Sequence, residues 1–173
     1  YPELTDFETG VSHYSYYETG ETLNPGTYAL VLRSDRDRSV QVGRWGRLQI
    51  HPGYYLYVGS AFGPGGLNAR VAHHLRKTGT PHWHMDYLRP SVDIIEIWYT
   101  TDRRGREHQW AETLALHRRA SLPVAKFGAS DCNCRAHLFR FQARPSGNYF
   151  RRIIRRQHPE HGVVRILRPR PIR

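Results

Sequence analysis

Residues 54–74 read YYLYVGSAFGPGGLNARVAHH. Tyr55 to Ser60 is a run of aromatic and β-branched residues with strand character, and Gly59 to Gly66 holds too much Gly and Pro to continue it. From Leu67 onward the apolar spacing is helical. The stretch therefore predicts a strand, a loop and a helix. With the helix starting at Asn68 or a neighbour, Arg70 falls in the first turn and His74 lies one turn later on the same face. An arginine fork and the positive end of a helix then point at one place, as phosphate binding requires. A tyrosine, a glycine-rich turn, an arginine and a histidine in this order point to phosphodiester chemistry.

Outward from this stretch, strands are read at Gly26 to Arg33, Val40 to Val42, Arg47 to Ile50, Val92 to Thr100, Ala136 to Phe141 and Val163 to Leu167. Gly43-Arg44-Trp45-Gly46 is read as a hairpin connection. Helices are read at Leu67 to Lys77, His82 to Leu88 and Arg106 to Arg119, with a short basic helix at Asn148 to Gln157. The fold class is α+β, a small mixed or antiparallel sheet flanked by helices. At 173 residues the chain can bury one sizeable core. No segment approaches the roughly 20 apolar residues needed to span a bilayer, and no signal peptide is visible. No membrane partner is expected, and the cytoplasm is the expected location.

Charge narrows the partner. The chain carries a net +11. Residues 1–25 contain five acids and no Lys or Arg, so they contribute −5 and the remainder carries +16. Residues 151–173 hold eight arginines against the single acid Glu160. A polyanion is the expected partner, bound with strong salt dependence. The chain divides on this reading into an acidic, tyrosine-rich extension at 1–25, a domain at 26–145 and a basic extension at 146–173. The first is expected to be a leader or to lie across the basic surface in place of nucleic acid.

Gly26-Thr27-Tyr28 and Tyr57-Val58-Gly59 together resemble the GIY-YIG nuclease superfamily. The segments GTYAL, GYYLYVGSAFGPGGLNARVAHHLR, HWHMDYL, EHQWA and FGASDCNCRAHLF, in order over roughly residues 26–141, resemble one uncharacterised branch of it. That branch is found alone or fused to endonuclease III-type repair enzymes. The resemblance implies that Tyr28 and Tyr57 are the paired signature tyrosines, one accepting a proton from the attacking water or positioning it. It implies that Arg70 holds the scissile phosphate and that His74 acts as a second base or phosphate donor. It further implies a metal-binding glutamate opening a later helix, for which Glu107 is preferred and Glu112 is the rival.

Hydrolysis of a phosphodiester needs an activated nucleophile, charge stabilisation on the phosphoryl oxygens and help for the leaving alkoxide. Arg70 supplies the second. Mg²⁺ or Mn²⁺ held by one carboxylate and waters would supply the third. A tyrosine with an ordinary pKa of roughly 10 is an awkward base, so Arg70 is expected to favour its phenolate. These groups are expected to converge on a shallow basic cleft, with Arg76, Lys77, Arg151, Arg152, Arg155 and Arg156 extending the nucleic-acid surface. His82-Trp83-His84 with Asp86 is read as a packed Trp83 with histidines contacting backbone. Cys132-Asn133-Cys134 with His137 lacks a second ligand pair, so reduced thiols are preferred to zinc. The function expected is a metal-dependent endonuclease acting on DNA, on damaged, branched or single-stranded forms. The alternative is a non-catalytic nucleic-acid-binding module using the same surface. RNA and the oligomeric state are left open.

Overall fold

The computed structural model describes residues 14–15, 24–77 and 79–171. In chain order they form β1 (Tyr14–Ser15), β2 (Gly26–Ser34), β3 (Arg38–Val42), β4 (Gly46–Ile50), β5 (Gly53–Ala61), α1 (Gly66–Leu75) and α2 (His84–Leu88). There follow β6 (Asp93–Thr100), α3 (Glu107–Ala115), β7 (Leu138–Phe141), α4 (Gly147–Gln157), β8 (Arg165–Leu167) and β9 (Arg170–Pro171). Five strands make one sheet in the order β7-β5-β2-β6-β8, while β3 and β4 form a separate hairpin and β1 pairs with β9. Every pairing among the described residues is antiparallel, so the fold is α+β.

Strands β2 and β5 are buried almost end to end because helices cover both faces of the sheet. On one face Tyr28, Leu30, Leu32, Tyr55 and Tyr57 meet Leu67, Val71 and Leu75 of α1, Met85 and Leu88 of α2, and the hairpin. On the other, Ala29, Val31, Leu56, Val58 and Trp98 meet Trp110 and Leu114 of α3 and Phe150 and Ile154 of α4. Phe150 stacks on Trp98 at 5.1 Å between ring centres and meets Trp110 edge-on at 5.0 Å. Such pairs contribute about 0.5–1.5 kcal/mol each beyond the area they bury.

Several boundaries differ from the sequence reading, each for a local reason. Helix α1 begins at Gly66 because Gly65 turns the chain in with φ 80°. Arg70 therefore sits at the fifth helical position, not in the first turn. At the other end, buried Arg89 donates to the carbonyls of His74, Leu75 and Val92, so α1 stops at Leu75 short of Lys77. Helix α2 starts two residues late because Asp86 Oδ2 accepts the backbone N–H groups of His82 and Trp83, holding them as a cap.

The larger correction concerns the C-terminal segment. Residues 147–157 form α4, capped by Ser146 Oγ accepting from Tyr149 N, with Phe150 and Ile154 one turn apart in the core. Strand β8 then extends the sheet beyond β6. The segment read as a basic extension is part of the folded domain. The acidic start lies outside the described residues apart from Tyr14–Ser15 and residues 24–25. Among the described residues no helix is long and apolar enough to cross a membrane.

Candidate active site

Antiparallel pairing puts Leu30 opposite Tyr57 and Gly59 opposite Tyr28. Tyr28 and Leu30 share a face by the two-residue period, so both tyrosines lie on the same side of the sheet. They are nearly buried, 1% and 6% exposed, and both lie against the His74 ring. Gly59 is required by contact. A Cβ there would stand 2.4 Å from Tyr28 Oη, so the Tyr28 ring crosses the strand only over a glycine. A Cβ on Gly26 would meet the Thr100 carbonyl at 2.1 Å, which fixes the glycine before Thr27-Tyr28 by the closeness of β6.

His74 stands behind Tyr28, and it is not among the residues that line the cleft. Its Nε2 is 2.7 Å from Tyr28 Oη, and it is fully buried. Burial lowers its pKa from 6.5 to about 3, against the pull of Asp86, whose Oδ1 lies 3.8 Å from Nδ1. The ring is thus neutral, with its lone pair available to the tyrosine hydroxyl. Despite partial burial, Asp86 is held below the usual carboxylate range by the Trp83 and His82 N–H groups and by His73 at 2.9 Å. His74 thus touches Tyr28 from behind and has no place in the cleft wall.

Burial also decides the state of the tyrosines. Tyr28 is pushed well above its ordinary value by burial and by Tyr57, with Arg70 opposing. Tyr57 is raised by burial and then by Glu107. Both are hydroxyls near neutral pH, so the expected phenolate does not form: the desolvation of a buried anion outweighs one neighbouring cation.

Arg70 reaches the cleft from α1 with its guanidinium 3.9 Å above the Trp83 ring, which supports it from below. Glu107 enters from the other side, at the first position of α3. The preceding Arg106 fixes it there: the Arg106 N–H donates to Thr27 Oγ1 at 3.0 Å, next to Tyr28, and its buried guanidinium pairs with Asp102 and Glu160. Glu107 Oε1 lies 3.1 Å from His137 Nδ1. Tyr28, Tyr57, Arg70 and Glu107 therefore line one cleft. It is not basic, contrary to expectation. Its lining holds one arginine against Glu107 and Asp131, with four histidines. Such a wall binds phosphate well only with a cation added.

Glu107 fits a hard divalent ion. It offers carboxylate oxygen, the His137 contact leaves it further acceptor capacity, and Mg²⁺ or Mn²⁺ needs few protein ligands. Glu112 is exposed and does not line the cleft; it lines an adjoining hollow that shares His108 and Cys132 with it. The other basic residues read from the sequence are not gathered here. Arg76 and Lys77 do not line the cleft, and Lys77 pairs with Asp93 at 2.9 Å. Arg151 donates to Val164 O and Asn148 Oδ1, and Arg152 stands over Tyr149. With Arg155 and Arg156 they belong to α4, on the face of the sheet opposite the tyrosines.

Sequence reasoning missed three participants. Trp83 as the support of Arg70 and His137 as the partner of Glu107 carry no local signature. Asp131 lies within the segment FGASDCNCRAHLF, where the sequence reading gives it no role. The His82-Trp83-His84 reading fits what is found: Trp83 packs on His73, and His84 Nδ1 accepts from the Gly128 N–H at 3.2 Å. A family model described as a domain of unknown function, DUF123, matches residues 27–158. No curated protein and no solved structure matches the chain.

Proposed function

The chain belongs to the family of the domain of unknown function DUF123, and we propose that it is a metal-dependent endonuclease that hydrolyses DNA phosphodiester bonds, related to the GIY-YIG nucleases. The observation that carries this reading is the meeting of Tyr28, Tyr57, Arg70 and Glu107 in one cleft, from β2, β5, α1 and α3. A module that only bound nucleic acid would gain nothing from a carboxylate facing the phosphate.

Each side chain has a task. Arg70, held over Trp83, grips the non-bridging oxygens of the scissile phosphate and balances charge as it builds. Tyr28 Oη accepts a hydrogen bond from the attacking water. Tyr28 Oη donates its own proton in a hydrogen bond to the neutral His74 Nε2, which turns an oxygen lone pair toward that water and orients it. The water's proton leaves to solvent in the cleft, so neither phenolate nor imidazolium forms. The Asp86 carboxylate faces the neutral ring from the Nδ1 side and favours the tautomer whose Nε2 accepts from Tyr28. Tyr57, beside the same histidine, keeps a protonated hydroxyl in the cleft to orient the water or an oxygen of the phosphate. A divalent ion on Glu107 would supply charge neutralisation at the phosphoryl group and the leaving alkoxide.

Phe62 supports a substrate with unpaired bases. It lines the cleft and is 44% exposed, a free ring on which a base can stack. The testing experiment is a cleavage assay on single-stranded, duplex, abasic and branched DNA with Mg²⁺ or Mn²⁺. Cutting is expected, strongest on substrates with unpaired segments, and lost on chelation. Binding without cutting on every substrate would leave a nucleic-acid-binding module instead.

A further inference from the structure

The 22 residues between Ala115 and Leu138 form no helix and meet the main sheet through the isolated bridge Ser121–Arg140 and, at their end, the His137 carbonyl, which accepts from the Val58 N–H at 2.9 Å. A connection of that length inside a compact domain needs something to hold it. Phe127 and Ala129 bury its middle, but residues 130–135 are exposed or half-buried. There Cys132 and Cys134, both free thiols, meet His137 and also His108 from the second position of α3. One donor atom from each of the four lies within 4.8 Å of the others. Cys132 Sγ is 3.5 Å from His137 Nε2, and Cys134 Sγ is 3.1 Å from His108 Nδ1. A sulfur and a nitrogen bound to one tetrahedral zinc stand about 3.5 Å apart, given Zn–S near 2.3 Å and Zn–N near 2.05 Å.

We propose that His108, Cys132, Cys134 and His137 form a structural zinc site that fastens the 116–137 connection to the start of α3. Four protein ligands close the tetrahedron and leave no position for water, so the site is structural. Two thiolates neutralise the dication, and their softness selects zinc over magnesium, which separates this site from Glu107. The two are nonetheless joined. With Nε2 of His137 on the metal, the ring proton sits on Nδ1, the atom that faces Glu107 Oε1 at 3.1 Å. Zinc thereby sets the tautomer of His137 and the position of the cleft carboxylate. The site stands whether or not the cleft cuts nucleic acid.

Elemental analysis of the full chain, purified without chelator, is expected to find one zinc per chain. Cys132→Ser with Cys134→Ser should remove nearly all of it. His108→Ala alters an exposed ring, so it should keep the wild-type circular dichroism spectrum while losing zinc to a chromophoric chelator about tenfold or more readily. Cobalt added to the metal-free wild type should give tetrahedral ligand-field bands and thiolate charge-transfer absorption. Glu107→Gln should still carry one zinc per chain whatever becomes of cleavage, so the zinc site and the nuclease reading fail separately. A wild-type chain that neither carries zinc nor takes up zinc or cobalt on titration overturns the proposal, as does a double-cysteine variant that binds zinc like the wild type.

Discussion

The two faces of β2 do different work. Tyr28, Leu30 and Leu32 look toward α1 and an enclosed polar chain of Tyr28, His74 and Asp86, while Ala29 and Val31 look toward an aromatic wall of Trp98, Trp110 and Phe150. The strand period of two lets adjacent residues serve opposite ends. One face holds protons and charges at set distances, and the other supplies the apolar burial that pins the strand. Substitutions one residue apart in the sheet should therefore separate stability from chemistry.

The largest effect belongs to the aromatic face. Phe150→Ala empties the space between Trp98 and Trp110 and should cost about 3–5 kcal/mol of stability in a denaturant titration. Cleavage per folded molecule should stay near wild type, and a selective loss of cleavage would dissolve the division between faces. On the tyrosine face, Gly59→Ala drives a methyl group into the Tyr28 ring and should cost about 1–3 kcal/mol through overpacking. Here cleavage should fall by more than the folded fraction does, because Tyr28 Oη moves off His74.

Acid should find the same face. His74 has a folded pKa of about 3, below its ordinary 6.5, chiefly through burial. As pH falls below 6.5 the unfolded chain takes up this proton and the folded chain does not, so the stability tied to the neutral ring is complete above 6.5 and drains away toward 3. Between pH 7 and pH 5 the urea midpoint of His74→Gln should drop less than that of the wild type. Equal drops would mean that the ring is not buried neutral. The smallest effect is expected from Arg155→Ala with Arg156→Ala, exposed on α4 behind the aromatic wall. Two contacts to duplex phosphates would change the slope of log affinity against log salt by about 1.8, whereas their placement predicts a change below about one.

The fold was largely legible because its strands and helices advertise their period locally. Tyr28 and Tyr57 are placed together by the resemblance of Gly26-Thr27-Tyr28 and Tyr57-Val58-Gly59 to a pair of signature strands, and the packing of Tyr28 against Gly59 gives that pairing its physical reason. What escaped depended on distant contacts. His74 looked like a surface base because its burial is created by Tyr28, 46 residues away, and by α2. His108 could not be joined to Cys132 and Cys134 without knowing that α3 and the long connection meet. The basic helix was misjudged for another reason. Its arginines drew attention, although Phe150 and Ile154 at four-residue spacing already marked a buried face.

The most direct test of the account is the single-turnover cleavage rate of Arg70→Ala and Glu107→Gln beside Arg155→Ala with Arg156→Ala, on one substrate with Mg²⁺. All of these variants should stay folded. Arg70→Ala is predicted to lose about a hundredfold or more, in line with removing one preorganised charge donor. Glu107→Gln should lose at least as much, and the α4 pair should cut at close to the wild-type rate. Wild-type cleavage by Arg70→Ala or Glu107→Gln, or a larger loss from the α4 pair than from either, would contradict the placement of the chemistry on the tyrosine face.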